Sequence, residues 1–201
     1  MRETDAVWRT LGDAALSGRR EWKSTGDLAW EAGVGEKLAY KALRRPVSIG
    51  AVTRYPGGGF SVTDPERVIT LLAAARSLTP THATSFEAAQ QLVKTLPAYA
   101  IGGTRAAAHH LGGNRIADHA TAIMYVPSNA DLSFLPRGEG ALVFPIDPHT
   151  LAAWNDGYTS KAQTYADLFA EPGWQASEFR RALWRAWFAI DDWARAEARH
   201  G

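Results

Sequence analysis

The chain has 201 residues and a formal net charge of +1, with 46% hydrophobic and 21% charged residues. This is the balance of an ordinary folded protein, and any nucleic-acid site must arise from a local arrangement of charge. The sequence has no cysteine, which excludes disulfides, thiol catalysis and cysteine-ligated zinc. No apolar run is long enough for a membrane helix, and the first residues lack the apolar core of a secretion signal. We therefore expect a cytoplasmic protein with no membrane partner.

Helical spacing of apolar residues predicts three helices near the start of the chain. The first covers Thr4 to Leu16, and the second runs from about Thr25 to Ala32. A tight turn at Gly33-Val34-Gly35 follows. The third helix begins at Glu36 and is expected to end at about Arg45, because Pro46 lacks the N–H that continuation requires.

Two β-rich runs then flank a glycine tip. Residues 51–55 and 60–63 read as strands around Gly57-Gly58-Gly59, which predicts a hairpin. A further helix begins at Pro65, with Asp64 as its N-cap. The break at residues 79–84 predicts a domain boundary.

The fold class expected from these signals is α+β. Residues 1–80 are predicted to form a winged helix-turn-helix, and residues 81–201 an α+β domain. The elements expected in the second domain are helices over residues 85–96, 104–111, 161–169 and 177–199, and strands over residues 121–126, 132–135 and 141–146. The last helix should bury a stripe made of Phe179, Leu183, Ala186, Ile190 and Trp193.

The order of helix, glycine turn, basic helix and hairpin is typical of a DNA-binding unit. Ala29 permits close contact between the helices, Gly33 can adopt the left-handed turn conformation, and Val34 packs beneath the turn. The third helix has an apolar face and a basic face that can enter a major groove. Together with the hairpin base and its neighbouring tyrosine, the predicted DNA-binding residues are Lys37, Tyr40, Lys41, Arg44, Arg45, Arg54 and Tyr55.

Other interpretations of this first half remain open. The same pattern fits a winged helix that binds another protein, or the solvated faces of a plain three-helix bundle. With so few contacts, a monomer should bind DNA weakly. Self-association on paired half-sites, or a second basic surface on the last helix, would then be needed.

The second half contains a strand that ends in Gly102-Gly103 and leads into a helix. In nucleotidyltransferases such a junction lets backbone amides approach a triphosphate, but the chemistry also needs paired carboxylates to hold metal ions. Only Asp118 and the distant Asp147 are candidates, so the metal site looks incomplete. We expect no metal, cofactor or catalytic residues. His109 and His110 are adjacent and point apart on a helix, which does not suit one ion.

Taken together, the predicted winged helix, the Gly-Gly-Thr helix that ends in His109-His110-Leu111, and the run from Gln163 to Leu168 resemble the AbiEi-type antitoxins of type IV toxin–antitoxin systems. The resemblance covers nearly the whole chain. It implies a transcriptional autorepressor that binds inverted repeats in its own promoter, and a second domain with a degenerate nucleotidyltransferase-like fold and no catalytic role. It also implies a functional link to a nucleotidyltransferase toxin. Ala166 departs from the larger apolar residue that is commoner there.

Three functional hypotheses follow. The leading one is a DNA-binding repressor or antitoxin without enzymatic activity. The second is an enzyme that transfers nucleotides with Gly102, Gly103, Asp118 and Asp147. The third is a winged-helix regulator whose second half senses a small ligand.

Overall fold

A computed structural model describes residues 3–113, 116–119, 121–154 and 156–189, and it has a mixed α+β fold with two small sheets. The described chain divides into two compact units. The first contains residues 3–76 and 184–189, and the second contains residues 77–183. None of the helices in the described ranges is long and apolar enough to cross a membrane.

The first unit combines four helices with a three-stranded antiparallel sheet of order β1-β3-β2. Its elements are α1 (Glu3–Leu16), β1 (Glu21–Trp22), α2 (Thr25–Glu31), α3 (Glu36–Ser48), β2 (Val52–Arg54), β3 (Phe60–Val62) and α4 (Pro65–Ala75). Side-chain caps fix two helix starts, because Ser24 accepts the Asp27 amide and Asp64 accepts the Arg67 amide. Sequence reasoning missed β1, a strand of two residues that exists only through its pairing with β3.

The core of this unit lies between the helices and the sheet. Leu11, Leu28 and Leu43 come from the first three helices, and Phe60 and Val62 come from β3; all five are buried. The Trp22 and Phe60 rings are stacked with centroids 5.4 Å apart, so the short strand β1 is held by aromatic packing as well as by its ladder.

The third helix continues through Pro46, so the prediction that it ends at about Arg45 is wrong. Pro46 has no N–H to donate to the carbonyl of Ala42, four residues earlier. The indole N–H of Trp8 on α1 donates to that carbonyl instead, at 2.9 Å. The proline ring is itself buried. A partner from another helix therefore satisfies the group that the proline leaves unpaired.

The second unit is built on a four-stranded sheet of order β4-β7-β6-β5, in which only β6 and β7 are parallel. Its elements are β4 (His82–Ser85), α5 (Phe86–Thr95), β5 (Ala100–Gly102), α6 (Gly103–His110), β6 (Ala122–Pro127), β7 (Gly140–Ile146), α7 (Pro148–Ala152), α8 (Lys161–Ala170) and α9 (Trp174–Trp187). The last turn of α9 belongs to residues grouped with the first unit.

Alternation along β6 places the two faces of this sheet in different cores. Met124 and Val126 lie in the clusters that contain Ala89 and Leu92 of α5. Ile123 and Tyr125 lie in the cluster that contains Leu151 and Trp154. Every residue of β6 is buried, as expected for a central strand covered on both faces.

Several predicted elements of the second unit need correction. The strand expected over residues 132–135 is absent; these residues form a turn in which Leu135 is buried without strand pairing. The predicted break at residues 79–84 contains most of β4, and α7 was not expected. The last helix begins at Trp174 rather than at residue 177, and it ends at Trp187 rather than at about residue 199, because residues 188–189 form a turn. Phe179 and Leu183 are buried as the stripe requires, but Ala186 is exposed, and residues 190–201 lie outside the described ranges.

We expect Trp8→Phe to lower the free energy of unfolding by about 1–2 kcal/mol, because it leaves the Ala42 carbonyl without its donor. Chemical denaturation followed by circular dichroism measures this. Trp30→Phe is the matched control, since Trp30 is 84% exposed, and it should change stability by less than about 0.5 kcal/mol.

A double-mutant cycle with Pro46→Ala isolates the hydrogen bond from the lost packing. Alanine at position 46 supplies its own N–H to Ala42, so Trp8→Phe should cost about 1 kcal/mol less in that background. If the two substitutions proved additive, the hydrogen bond would not be what sustains the helix.

Candidate functional site

Helices α2 and α3 are joined by a turn whose geometry requires glycine. Gly33 has φ +65°, a conformation that other residues rarely adopt. The Val34 amide donates to the Ala29 carbonyl at 2.9 Å, and the Val34 side chain packs on the core of the first unit. The turn therefore fixes how α3 is presented relative to α2.

Helix α3 has one buried face and one exposed face. Ala39, Ala42, Leu43 and Pro46 are buried, and Leu38 is partly buried. The exposed face contains all five helical residues that the sequence predicted, namely Lys37, Tyr40, Lys41, Arg44 and Arg45. We call this the basic face of α3.

Among the described residues, no acidic side chain forms an ion pair with Lys37, Lys41, Arg44 or Arg45. Two arginines elsewhere in the same unit are paired: Arg19 binds Glu31, and Arg67 binds Asp64. Four cations without an ion-pair partner among the described residues thus lie on one exposed helix face.

The β2–β3 hairpin brings one further cation to this face. The Arg54 guanidinium carbon lies 4.7 Å from the centroid of the Tyr40 ring, a cation–π geometry. Tyr55 is 42% exposed, near the glycine tip. All seven residues predicted to bind DNA are exposed, and two of them connect the hairpin to the helix.

The hairpin tip depends on glycine at a defined position. Gly59 has φ +78°, and a Cβ atom built there would lie 2.8 Å from the carbonyl oxygen of Trp22. Any side chain would therefore displace the hairpin from β1.

Sequence reasoning also missed the exposure of Trp30 on α2, which is 84% exposed. The available signal was its position opposite the buried Leu28 and Ala29.

The Gly-Gly junction of the second unit is a separate candidate site. Gly103 has φ +61° and begins α6. A Cβ atom at Gly102 would lie 2.7 Å from Asp167 Oδ2, and one at Gly103 would lie 2.7 Å from Glu171 Oε2. The Thr104 amide donates to Glu171 Oε2 at 3.3 Å. The glycines therefore make room for the protein's own carboxylates at the start of α6.

Asp167 is held in a buried hydrogen-bond network. The Tyr125 hydroxyl donates to its two carboxylate oxygens at 2.7 and 2.9 Å. Gln163 Nε2 donates to Asp167 Oδ1 at 2.9 Å and to the Tyr125 oxygen at 3.1 Å. Gln163, Asp167 and Glu171 follow at intervals of four and so share one side of α8 and its C-terminal end. The run from Gln163 to Leu168 is entirely buried, which gives this motif a structural role.

The carboxylates that the nucleotide-transfer hypothesis requires are not the ones at this junction. Asp147 caps α7 by accepting the Thr150 amide at 2.7 Å, and Asp118 is exposed. Within the described ranges, no three His, Asp or Glu side chains are grouped so as to hold a metal ion.

The neighbouring histidines link α6 to other segments. His109 Nε2 lies 2.8 Å from Asp156 Oδ2, and its ring stacks on Tyr158 with centroids 4.1 Å apart. His110 Nε2 lies 2.9 Å from the carbonyl oxygen of Thr159, and burial lowers the pKa of His110. The two rings have different partners, so they do not converge on one ligand.

Burial raises the pKa of Glu171 to about 7, against an ordinary value of 4.5. The hydrogen bond from the Thr104 amide works in the opposite direction, and the nearby Asp167 charge adds to the increase. The folded protein therefore keeps this proton at a pH where the unfolded chain has lost it. The stability associated with the protonated carboxyl is complete below pH 4.5 and is lost as the pH rises through about 7.

We expect Glu171→Gln to remove this loss. The free energy of unfolding of the variant, relative to the native protein, should rise by about 3 kcal/mol between pH 4.5 and 7 and then level off. Denaturant unfolding at a series of pH values measures it. Glu139→Gln removes an exposed carboxylate and is the control. A relative stability that does not depend on pH in the Glu171 variant would contradict the assignment.

Comparisons with protein-family models, curated proteins and solved structures gave no match for this chain.

Proposed function

We propose that the first unit is a winged helix-turn-helix that binds double-stranded DNA, with α3 in the major groove and the β2–β3 hairpin as its wing. The observation that carries the proposal is the basic face of α3, whose four cations have no acidic partner among the described residues. A helix with its side chains is about 10–12 Å across, and the major groove is about 12 Å wide. The exposed face is therefore of a size and charge that suit the groove.

The element order supports the same proposal. Helices α2 and α3 are joined at Gly33 and are followed by a hairpin. Arg54 of the hairpin contacts Tyr40 of α3. This contact sets Arg54 beside the basic face, where a wing residue can reach the phosphate backbone next to the groove. Because phosphate contacts release counterions, binding should depend steeply on salt.

The proposal also includes a regulatory role, that of a transcriptional repressor. The resemblance to AbiEi-type antitoxins extends it to an autorepressor that acts on its own promoter and has no enzymatic activity. The occupied Gly-Gly junction supports this, because Glu171 already accepts the Thr104 amide that a triphosphate would need. A second basic surface on the last helix, the alternative to self-association on paired half-sites, has less support. Arg181 pairs with Glu178, Arg180 stacks over Phe169, and residues 195 and 199 lie outside the described ranges.

We expect the double variant Lys41→Ala/Arg44→Ala to bind DNA at least about tenfold more weakly than the native protein at low salt. The slope of log K against log salt should become shallower by about 2, since two phosphate contacts are lost. Fluorescence anisotropy with a labelled duplex from the region upstream of the coding sequence measures both quantities.

The matched control is Lys94→Ala/Arg137→Ala, which removes the same charge from exposed positions of the second unit. It should leave affinity and slope nearly unchanged. Equal losses in the two double variants would show that binding follows net charge and not the basic face. A shuffled duplex that binds as tightly as the upstream region would argue against the autorepressor, while leaving DNA binding in place.

The contact between Tyr40 and Arg54 should be visible as coupling. If the Tyr40 ring positions Arg54, then Tyr40→Ala and Arg54→Ala each weaken DNA binding, and the double variant loses less than the product of the two effects. The expected coupling is about 0.5–1 kcal/mol, or a factor of two to five. The same anisotropy assay checks this, and Tyr55→Ala combined with Arg54→Ala is the control pair. Purely multiplicative losses for both pairs would contradict a positioning role for Tyr40.

A further inference from the structure

A groove in the second unit lies between α5 and the edge strand β5, and neither the DNA-binding proposal nor the carboxylate network uses it. Its volume is about 370 Å³. Sites for small molecules span roughly 300–1,000 Å³, so the groove can hold a compact ligand. Helix α5 follows β4, which lies at the opposite edge of the sheet, and it packs mainly on β4, β7 and β6. The helix therefore leaves space beside β5, and this space is the groove.

The floor of the groove is apolar. Ile101 of β5 and Met124 of β6 are cross-strand partners, and both line it. Tyr99, just before β5, adds an aromatic side chain. A methionine thioether and an aromatic ring are both favourable neighbours for a flat unsaturated ring. The floor therefore suits an aromatic ligand body.

The charged side chains of the lining are both cationic, and Gln90 adds a neutral polar group. Lys94 of α5 and Arg105 of α6 both line the groove, and none of its lining residues is acidic. The Arg105 guanidinium carbon lies 4.6 Å from the centroid of the Phe86 ring, which orients the planar group. Lys94 Nζ lies 3.4 Å from the side-chain oxygen of Gln91, a neutral group. The two cations thus come from different helices to one groove.

We infer that this groove binds a small aromatic carboxylate, with its ring on Ile101 and Met124 and its carboxylate between Lys94 and Arg105. A planar carboxylate matches the guanidinium fork, and two cations over an apolar floor favour a monoanion with a hydrophobic body over a bare phosphate. The inference goes beyond the proposed DNA binding, and it requires no part of the first unit.

Isothermal titration calorimetry of the full chain with 2-naphthoate tests this inference. We expect a dissociation constant below 1 mM for 2-naphthoate, and binding at least about tenfold weaker for the uncharged 2-naphthamide and for inorganic phosphate. Lys94→Gln should weaken 2-naphthoate binding about tenfold, as expected for the loss of one charge-assisted contact. Arg137→Gln, which removes an exposed cation outside the groove, should not change it.

Arg105→Gln should give a similar loss of 2-naphthoate affinity. Because this variant also loses packing on Phe86, its melting temperature is measured alongside, and Lys94→Gln remains decisive if the Arg105 variant fails to fold. Absence of 2-naphthoate binding at 1 mM would overturn the inference. Equal binding of the amide, or an affinity that Lys94→Gln leaves unchanged, would do the same. Since no DNA enters the assay, failure here leaves the proposed function untouched.

Discussion

The hydrogen bond from the Trp8 indole to the Ala42 carbonyl is the contact on which the candidate interface depends. A proline at position 46 removes the normal donor and disfavours the helical conformation of the residue before it, which is Arg45. The buried proline ring and the indole of α1 together keep that turn helical. The last two cations of the basic face, Arg44 and Arg45, are therefore positioned by tertiary packing as well as by local helix propensity.

The first unit is distinguished by where its charged side chains lie, and not by its net charge. The whole chain carries a net charge of only +1. Two acids elsewhere in this unit form local pairs, Glu31 with Arg19 and Asp64 with Arg67. None of the described acids pairs with the cations of α3, and the helix itself contains one acid, Glu36, in its first turn, so a net positive field lies over the basic face. A ligand with regularly spaced phosphates can use such a field even when the protein is nearly neutral.

In the second unit, a geometry that commonly binds anions is occupied by a carboxyl group of the same chain. A strand that ends in glycine and leads into a helix exposes backbone amides, and here a carboxylate of the same chain approaches them. Asp167 and Glu171 can approach Gly102 and Gly103 only because these two positions have no side chain. Burial, with a smaller contribution from the Asp167 charge, raises the pKa of Glu171 to about 7. A site that resembles a phosphate cradle in sequence is thus occupied by side chains of the same chain.

Local signals were sufficient for most helices and for the exposed residues of α3. The cap at Ser85 and the periodicity of α3 act over a few residues, so the sequence alone reveals them. The errors arise where a distant partner decides. By local rules Pro46 should end the helix, yet the helix continues. The carbonyl of Ala42 that the proline leaves unpaired accepts a hydrogen bond from Trp8, which is 34 residues away from Ala42 in the sequence. Glu171 reaches the start of α6 across 67 residues, and no spacing rule connects it to Gly103. These contacts between distant residues depend on the fold as a whole. They allow α3 to continue past Arg45, and they place Glu171 against the Thr104 amide at the Gly-Gly junction.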